Sequence, residues 1–263
     1  MTATTVEGWV REYIASTELS HKLTPPPRPG AWEDPTVPER IAAPGRPKEL
    51  TPVARAKKAI TGNALGHVRR RAELMHRFFG HELQAAELMG WALLAFPDTP
   101  RAFRVGLLGI LDDEIRHMRL YRDYLATLGY EIGAFPLRDW FWERIPTSAT
   151  PAAYCATMGM GFEGGNLDHA ARFALQFERA GDAEAARITR VVHDEEIPHV
   201  RFAMHWFRRF AGEPDFETWR AHLPPPLSPV LMKGSPLDTA ARDSAGFSSD
   251  FLSRLSAWSM SGS

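Results

Sequence analysis

DDEIRH at 112–117 and DEEIPH at 194–199 are the two stretches of the sequence that most strongly indicate its fold. Each contains the pattern Glu-x-x-His. Residues three apart lie on one face of an α-helix, so each copy can present a carboxylate oxygen and an imidazole nitrogen to the same ion. The sequence therefore predicts two helices that carry the same metal-binding face.

Each copy is preceded by a helix that carries one isolated glutamate. Glu82 lies 32 residues before Glu114, and Glu163 lies 33 residues before Glu196. Two antiparallel helices joined by a short turn bring such positions to the same level, because each residue adds about 1.5 Å of rise. Each half of the chain can then assemble one Glu with one Glu-x-x-His. The predicted metal ligands are Glu82, Glu114, His117, Glu163, Glu196 and His199.

All four glutamates lie on apolar faces when a turn of about 100° per residue is assumed. Met75 and Met89 share the face of Glu82, and Leu167 shares the face of Glu163. Each ionised carboxylate in a dry interior costs several kcal/mol even after relaxation, so four together require bound cations. Oxygen and imidazole donors without thiolate favour iron or manganese over a structural zinc.

Other polar residues near the predicted ligands are second candidates. Glu87 and Asp168 each follow an inward glutamate by five residues and are turned away from it by about 140°, so Glu87 could instead bind a neighbouring helix or loop. Asp113 and Glu195 are suited to accept a hydrogen bond from an imidazole on a facing helix. Tyr121 lies on the inward face and is more typical of a core residue than of a redox residue.

Glycines surround one predicted ligand in the run GMGFEGGN at 159–166. Each glycine in a helix costs about 1 kcal/mol relative to alanine, so the run needs a reason. We expect a substrate pocket beside the third and fourth helices, and close helix packing or a π-bulge is an equal alternative. Pro198 removes a backbone donor and is expected to bend its helix.

Helical periodicity dominates the middle of the chain. It predicts long helices at 65–96, 101–128, 150–179 and 182–211, with short ones at 5–22, around DWFWERI (139–145) and near 247–258. Nine prolines between 24 and 52 predict an extended arm or a wrapping loop, and the tail after Gly212 is expected to be irregular. The expected segments are 1–52 (helix and arm), 53–211 (bundle) and 212–263 (tail that covers the bundle).

Composition narrows the class of protein. The 263 residues carry a formal net charge of −1, which gives no attraction to nucleic acid or an anionic membrane. Cys155 is the single cysteine, so an intrachain disulfide, a thiolate zinc site and a cysteine-held iron–sulfur cluster are excluded within one chain. No apolar stretch is long enough to span a bilayer, and a cytoplasmic location is expected.

The stretch 113–117 resembles the Asp-Glu-x-Arg-His pattern of oxygen-activating members of the ferritin-like di-iron carboxylate proteins. HELQAAELMGWALLAFPD at 81–98, together with HDEEIPH at 193–199, is similar to a bacterial ferritin-like family of unknown function that is distantly similar to a tRNA hydroxylase. The resemblance covers about 65–211. It implies an all-α four-helix bundle with two iron ions, or a manganese and iron pair, bridged by glutamates 114 and 196.

The expected function is therefore a non-haem di-iron oxidase or hydroxylase, a monooxygenase-type oxidoreductase, with O2 as co-substrate and a small organic molecule as substrate. The alternative is an iron-binding or peroxide-detoxifying protein without an organic substrate. A metal-free scaffold is the third hypothesis. An electron-donor protein and a homodimer stay open as partners, whereas the balanced charge argues against a membrane or nucleic acid.

Overall fold

A computed structural model describes residues 3–34, 36–50, 52–54 and 62–259. Within these residues every regular element is helical, and the extended pairing is confined to one isolated bridge between Pro52 and Leu137. This confirms the predicted all-α class. No helix in the described ranges is both long enough and apolar enough to cross a membrane.

The chain forms two compact units, Met1–Pro146 and Thr147–Ser263. The first unit contains α1 (Val6–Ala15), α2 (Leu19–Leu23), α3 (Val68–Ala95) and α4 (Arg101–Thr127), with a 3₁₀ turn at Gly62–Gly66. The hairpin of α3 and α4 is joined by the turn at 97–100, which contains two prolines that cannot continue a helix. These two helices match the predictions to within a few residues.

The N-terminal segment, which comprises α1, α2 and the Pro-rich stretch after them, packs on α3 and α4. Gly90 permits this contact, because a Cβ there would lie 2.8 Å from Val10 Cγ1 of α1. Trp91 Nε1 of α3 donates to the carbonyl of Ile41 at 3.1 Å. Arg104 of α4 donates to the buried carboxylate of Glu7 at 2.6 Å. As a result, the N-terminal segment of the chain covers α3, and residues 82–96 are all buried.

The second unit begins with α5 (Pro151–Tyr154), which continues into a π-helical segment (Cys155–Glu163) and then α6 (Gly164–Arg179). α7 (Ala183–Ala211) follows after a short turn, and its N-cap Asp182 accepts from the Ala185 amide at 3.0 Å. The tail contains α8 (Phe216–Ala221), a 3₁₀ turn (Pro229–Met232), α9 (Thr239–Ala245) and α10 (Ser249–Ala257).

Two sequence-based expectations differ from the structure. The stretch 139–145 forms turns and a 3₁₀ turn at Ile145–Thr147, so the predicted short aromatic helix is wrong. The tail is more helical than predicted, since α8 and α9 precede the expected helix near its end. The N-terminal segment lies in the same compact unit as α3 and α4, and the tail lies in the same unit as α6 and α7.

Candidate metal centre

The first half-site is built from the hairpin of α3 and α4. Glu82 on α3 and the pair Glu114 and His117 on α4 each offer one ligand atom, and these atoms lie within 4.8 Å of one another. His117 Nδ1 is 3.3 Å from Glu114 Oε2 and 3.9 Å from Glu82 Oε2. The imidazole therefore faces both carboxylates, as the spacing of the sequence motif predicted.

The electrostatics of this half-site are dominated by buried acid. Burial and the neighbouring charge of Glu114 raise the pKa of Glu82 well above its ordinary value. Burial lowers the pKa of His117, but its hydrogen bonds to Glu114 and Glu82 outweigh this and raise the pKa overall. Two carboxylates and one imidazole form a donor set of hard oxygen and nitrogen, which fits iron or manganese.

The second half-site repeats part of this geometry on α7. His199 Nδ1 lies 3.2 Å from Glu196 Oε2, the same contact as in the first copy of the motif. Asn166 at the start of α6 donates to Glu196 Oε1 at 3.3 Å, a contact that the sequence analysis missed although Asn166 ends the glycine-rich run. Glu163 belongs to the preceding π-helical segment and is 5% exposed.

Pro198 lies inside α7, between Glu196 and His199, yet α7 is continuous from Ala183 to Ala211. The expected removal of one backbone donor does not end the helix. The short distance between Glu196 and His199 shows that proline at this position leaves the Glu-x-x-His contact intact.

The glycine run serves close packing and a π-helix, which was the alternative to a substrate pocket. A Cβ at Gly159 would lie 2.2 Å from Ala203 Cβ, and a Cβ at Gly161 would lie 2.6 Å from Met232 Sδ. At Gly165 the nearest atom would be the Met232 carbonyl carbon at 3.3 Å. Neighbouring atoms thus occupy the space that these three glycines leave, which favours close packing and the π-helix as the reason for glycine at these positions.

Glu87, a second candidate for metal binding, forms ion pairs with one cation of α2 and one of the Pro-rich arm. Lys22 Nζ lies 2.8 Å and Arg46 Nη1 lies 2.6 Å from Glu87 Oε1, and Trp142 Nε1 donates to the other oxygen at 2.8 Å. Burial by itself raises the pKa of Glu87, but Lys22 and Arg46 lower it below its ordinary value. Glu87 is therefore an ionised anchor for the arm.

Asp168 has the same role in the second unit. Arg242 of α9 donates to it through Nε at 3.0 Å and Nη2 at 2.8 Å. The amides of Gly234 and Asp238 add two hydrogen bonds of 2.7 Å each. Four donors satisfy this carboxylate, so Asp168 anchors the tail on α6. No sequence signal marks Arg46 or Arg242 as a partner, because each is one arginine among many in a loop or short helix.

The residues predicted to support the ligands differ in how far they are buried. Asp113 accepts from Arg116 Nη2 at 2.7 Å, and its side chain is 41% exposed. Tyr121 is buried one turn after His117, and its ring centroid lies 5.8 Å from that of Phe78. Glu195 is half-buried beside Glu196 on α7. Tyr121 thus has the aromatic packing of a core residue.

Residues 2–253 match the family described as "Protein of unknown function (DUF455)". A protein described as "Uncharacterized protein" from Haemophilus influenzae is 26% identical over 149 residues, which cover 56% of this chain and 51% of the relative. The chain thus spans about half the length of this relative. No solved structure gives a significant match. Because the family match extends over nearly the whole sequence, this chain belongs to the DUF455 family.

Proposed function

We propose that this chain is a ferritin-like, non-haem di-iron protein that uses O2 to oxidise or hydroxylate a small organic substrate. The observation that carries the proposal is the duplicated half-site. In each copy the Glu-x-x-His pair brings Nδ1 and Oε2 to within 3.3 or 3.2 Å, and another helix supplies a buried glutamate. All six predicted ligands are at most 5% exposed.

In this proposal the two half-sites belong to one four-helix bundle and share a pair of ions. Four carboxylates match the charge of two divalent ions, and two imidazoles complete the donor set seen in di-iron and mixed manganese and iron bundles. Two iron ions bound there would supply the electrons that reduce O2.

The protein's own residues hold the ions and keep the site dry. Glu82 and Glu114 supply negative charge that burial makes unstable without a cation, as the raised pKa of Glu82 indicates. His117 is directed at both carboxylates by its Nδ1 atom. Tyr121 is buried one turn after His117, and its ring packs against that of Phe78. Exclusion of water strengthens each electrostatic contact within the site.

Metal analysis of the full chain tests the proposal. We expect two iron ions per chain after anaerobic loading, with Mössbauer and optical spectra of a coupled pair that change on exposure to O2. Glu114→Gln and Glu196→Gln should each lose at least one of the two ions. Glu184→Gln is the matched control, because Glu184 lies on α7 but is exposed and paired with Arg187.

Three outcomes would contradict the proposal. A chain that binds no metal is a scaffold, and a chain that binds one zinc has a structural site. A large hollow assembly seen by light scattering, filled with mineral after loading, would indicate iron storage. Organic oxidation is tested separately by O2 consumption that depends on an added substrate and is lost in Glu114→Gln.

A further inference from the structure

The π-helical segment Cys155–Glu163 is covered by the C-terminal tail. We use the name clasp for residues 216–245 of that tail. Trp219 Nε1 of the clasp donates to the carbonyl of Ala156 at 2.9 Å, inside the first turn of the π-helical segment. Met232 Sδ lies against Gly161, where an added Cβ would come within 2.6 Å of it. The clasp therefore contacts the segment at its start and in its middle.

The other end of the segment is held through α6. Asp168 lies five residues after Glu163. The Arg242 guanidinium donates hydrogen bonds to both carboxylate oxygens of Asp168. The same Arg242 Nη2 donates to the Met232 carbonyl at 3.1 Å. This bond links the contact at Gly161 to the contact at Asp168. Asp168 and Arg242 are both fully buried, so these charge-assisted hydrogen bonds are shielded from water.

A π-helix needs such support because its hydrogen bonds close from residue i to i+5 and are less favourable than those of an α-helix. Gly164 N bonds to Gly159 O in this way at the end of the segment. Return to α-helical bonding would shift the register by one residue, which corresponds to a rotation of about 100°. The side chain of Glu163 would then point in a different direction relative to the residues that precede the segment.

We infer that the clasp sets the π-helical register of Cys155–Glu163 and thereby the direction of the Glu163 carboxylate. Trp219 and Arg242 are positioning residues in this scheme, since they act through the backbone that carries Glu163. The role of Glu163 as a ligand rests on the proposed function. The π-helical register depends only on contacts within the second unit.

The first unit provides a matched control. Trp91 is also fully buried, and its Nε1 also donates to one backbone carbonyl, that of Ile41. Trp91 lies on α3, which is α-helical throughout its length and carries Glu82. Trp219→Phe and Trp91→Phe remove the same atoms and one hydrogen bond each. Only Trp219→Phe removes a contact to a π-helical carbonyl.

Amide hydrogen exchange and cobalt binding of the full chain test the inference. In Trp219→Phe we expect exchange of the amides at 155–165 to rise about tenfold, because one buried hydrogen bond that holds the segment is lost. With Co²⁺ as the probe, we expect the visible absorption of the bound ions to change in intensity and position, or half of the cobalt to be lost. Trp91→Phe should leave both readouts at wild-type values.

The outcomes separate the inference from the proposed function. If Trp219→Phe and Trp91→Phe behave alike at 155–165, the register is not set by the clasp. Faster exchange with an unchanged cobalt spectrum overturns the positioning of Glu163. A wild-type chain that binds no cobalt refutes the proposed function, and the exchange data still decide the register. Should Trp219→Phe not fold, Arg242→Lys is judged by the same two readouts, because it keeps the charge but loses the paired hydrogen bonds.

Discussion

The first half of the molecule carries its isolated glutamate, Glu82, on a regular α-helix, whereas the second half carries Glu163 at the end of nine π-helical residues. In the first half three predicted ligands come within 4.8 Å of one another, and in the second the close pair is Glu196 and His199. The same order of ligands along the chain is therefore compatible with two different backbone geometries.

The two halves also share a buried carboxylate that binds an arginine. The carboxylate five residues after each isolated glutamate binds an arginine of the terminal segment that covers it, Arg46 for Glu87 and Arg242 for Asp168. The arm comes before its helix pair and the tail comes after its own. Each half thus carries an anchor for a terminal segment as well as a set of predicted ligands, although the two terminal segments share no sequence pattern.

Replacement of Arg242 and of Arg46 should lower the free energy of unfolding by unequal amounts, and the loss at Arg242 is the largest effect expected. Arg242→Met leaves the fully buried Asp168 without its guanidinium partner, which should cost about 3–5 kcal/mol of unfolding free energy. Arg46→Met should cost about 1–2 kcal/mol, because Lys22 and Trp142 still bind Glu87. Urea denaturation measures both.

The double variant Arg242→Met with Asp168→Asn is the control for that prediction. It removes the uncompensated charge and should recover part of the lost stability, although the asparagine Nδ2 then faces one of the two amide donors, Gly234 or Asp238. Equal losses in Arg46→Met and Arg242→Met would mean that the two anchors are not organised as the contacts indicate.

Close packing of the π-helical segment on α7 is tested at Gly159. Gly159→Ala should lose about 2–3 kcal/mol, since its Cβ would lie 2.2 Å from Ala203 Cβ. Ala203→Gly in the same chain should restore part of the stability by making room for the new methyl group. A Gly159→Ala chain with wild-type thermal stability would show that open space remains beside Glu163, and the substrate pocket would return as an explanation of the glycines.

Acid should weaken the first half through His76. Burial lowers the pKa of His76 to about 4, and its Nε2 accepts from the Gly133 amide at 2.8 Å. A histidine with a lowered folded pKa stabilises the fold above about pH 6.5 and loses that contribution as the pH falls towards 4. We expect a loss of about 2 kcal/mol between pH 7 and pH 5 from this group.

The matched variant is His76→Gln, which keeps an acceptor for the Gly133 amide but does not titrate. Unfolding free energies of both chains at pH 7 and pH 5 should show a smaller pH dependence in the variant. Hydrogen exchange should place the difference in the first unit, around 130–135. Identical pH slopes would refute the role of His76.

Gly109 on α4 gives the smallest expected effect and the opposite sign. A Cβ there would have no neighbour within 4 Å, so Gly109→Ala should raise the unfolding free energy by about 0.5–1 kcal/mol through helix propensity alone. Differential scanning calorimetry would detect the rise in Tm. Together with Gly159→Ala, this variant distinguishes a glycine that packing requires from one that it does not. A drop in Tm would show that α4 is packed more closely at this face than its contacts indicate.

The helices that carry the ligands could be predicted because their signals are local. α3, α4 and α7 each show a 3.6-residue apolar period, and proline or glycine marks most of their ends. The prediction at 139–145 is wrong in part because Gln84 of α3 accepts from the Phe141 amide and donates to the Arg138 carbonyl. These two tertiary hydrogen bonds replace local ones at the start of the stretch, while the amides of Glu143 and Ile145 keep turn hydrogen bonds to the carbonyls of Asp139 and Phe141.

Local sequence patterns suffice to predict the all-helical class, the two Glu-x-x-His faces and the burial of their glutamates, since each depends on residues within a few turns of one another. The anchoring roles of Glu87 and Asp168 depend instead on the fold, because their arginines lie 41 and 74 residues away along the chain. The π-helical register of Cys155–Glu163 also depends on tertiary contacts. Local interactions favour an α-helix, whereas contacts with Trp219, Met232 and Arg242 of the second unit support the π-helix.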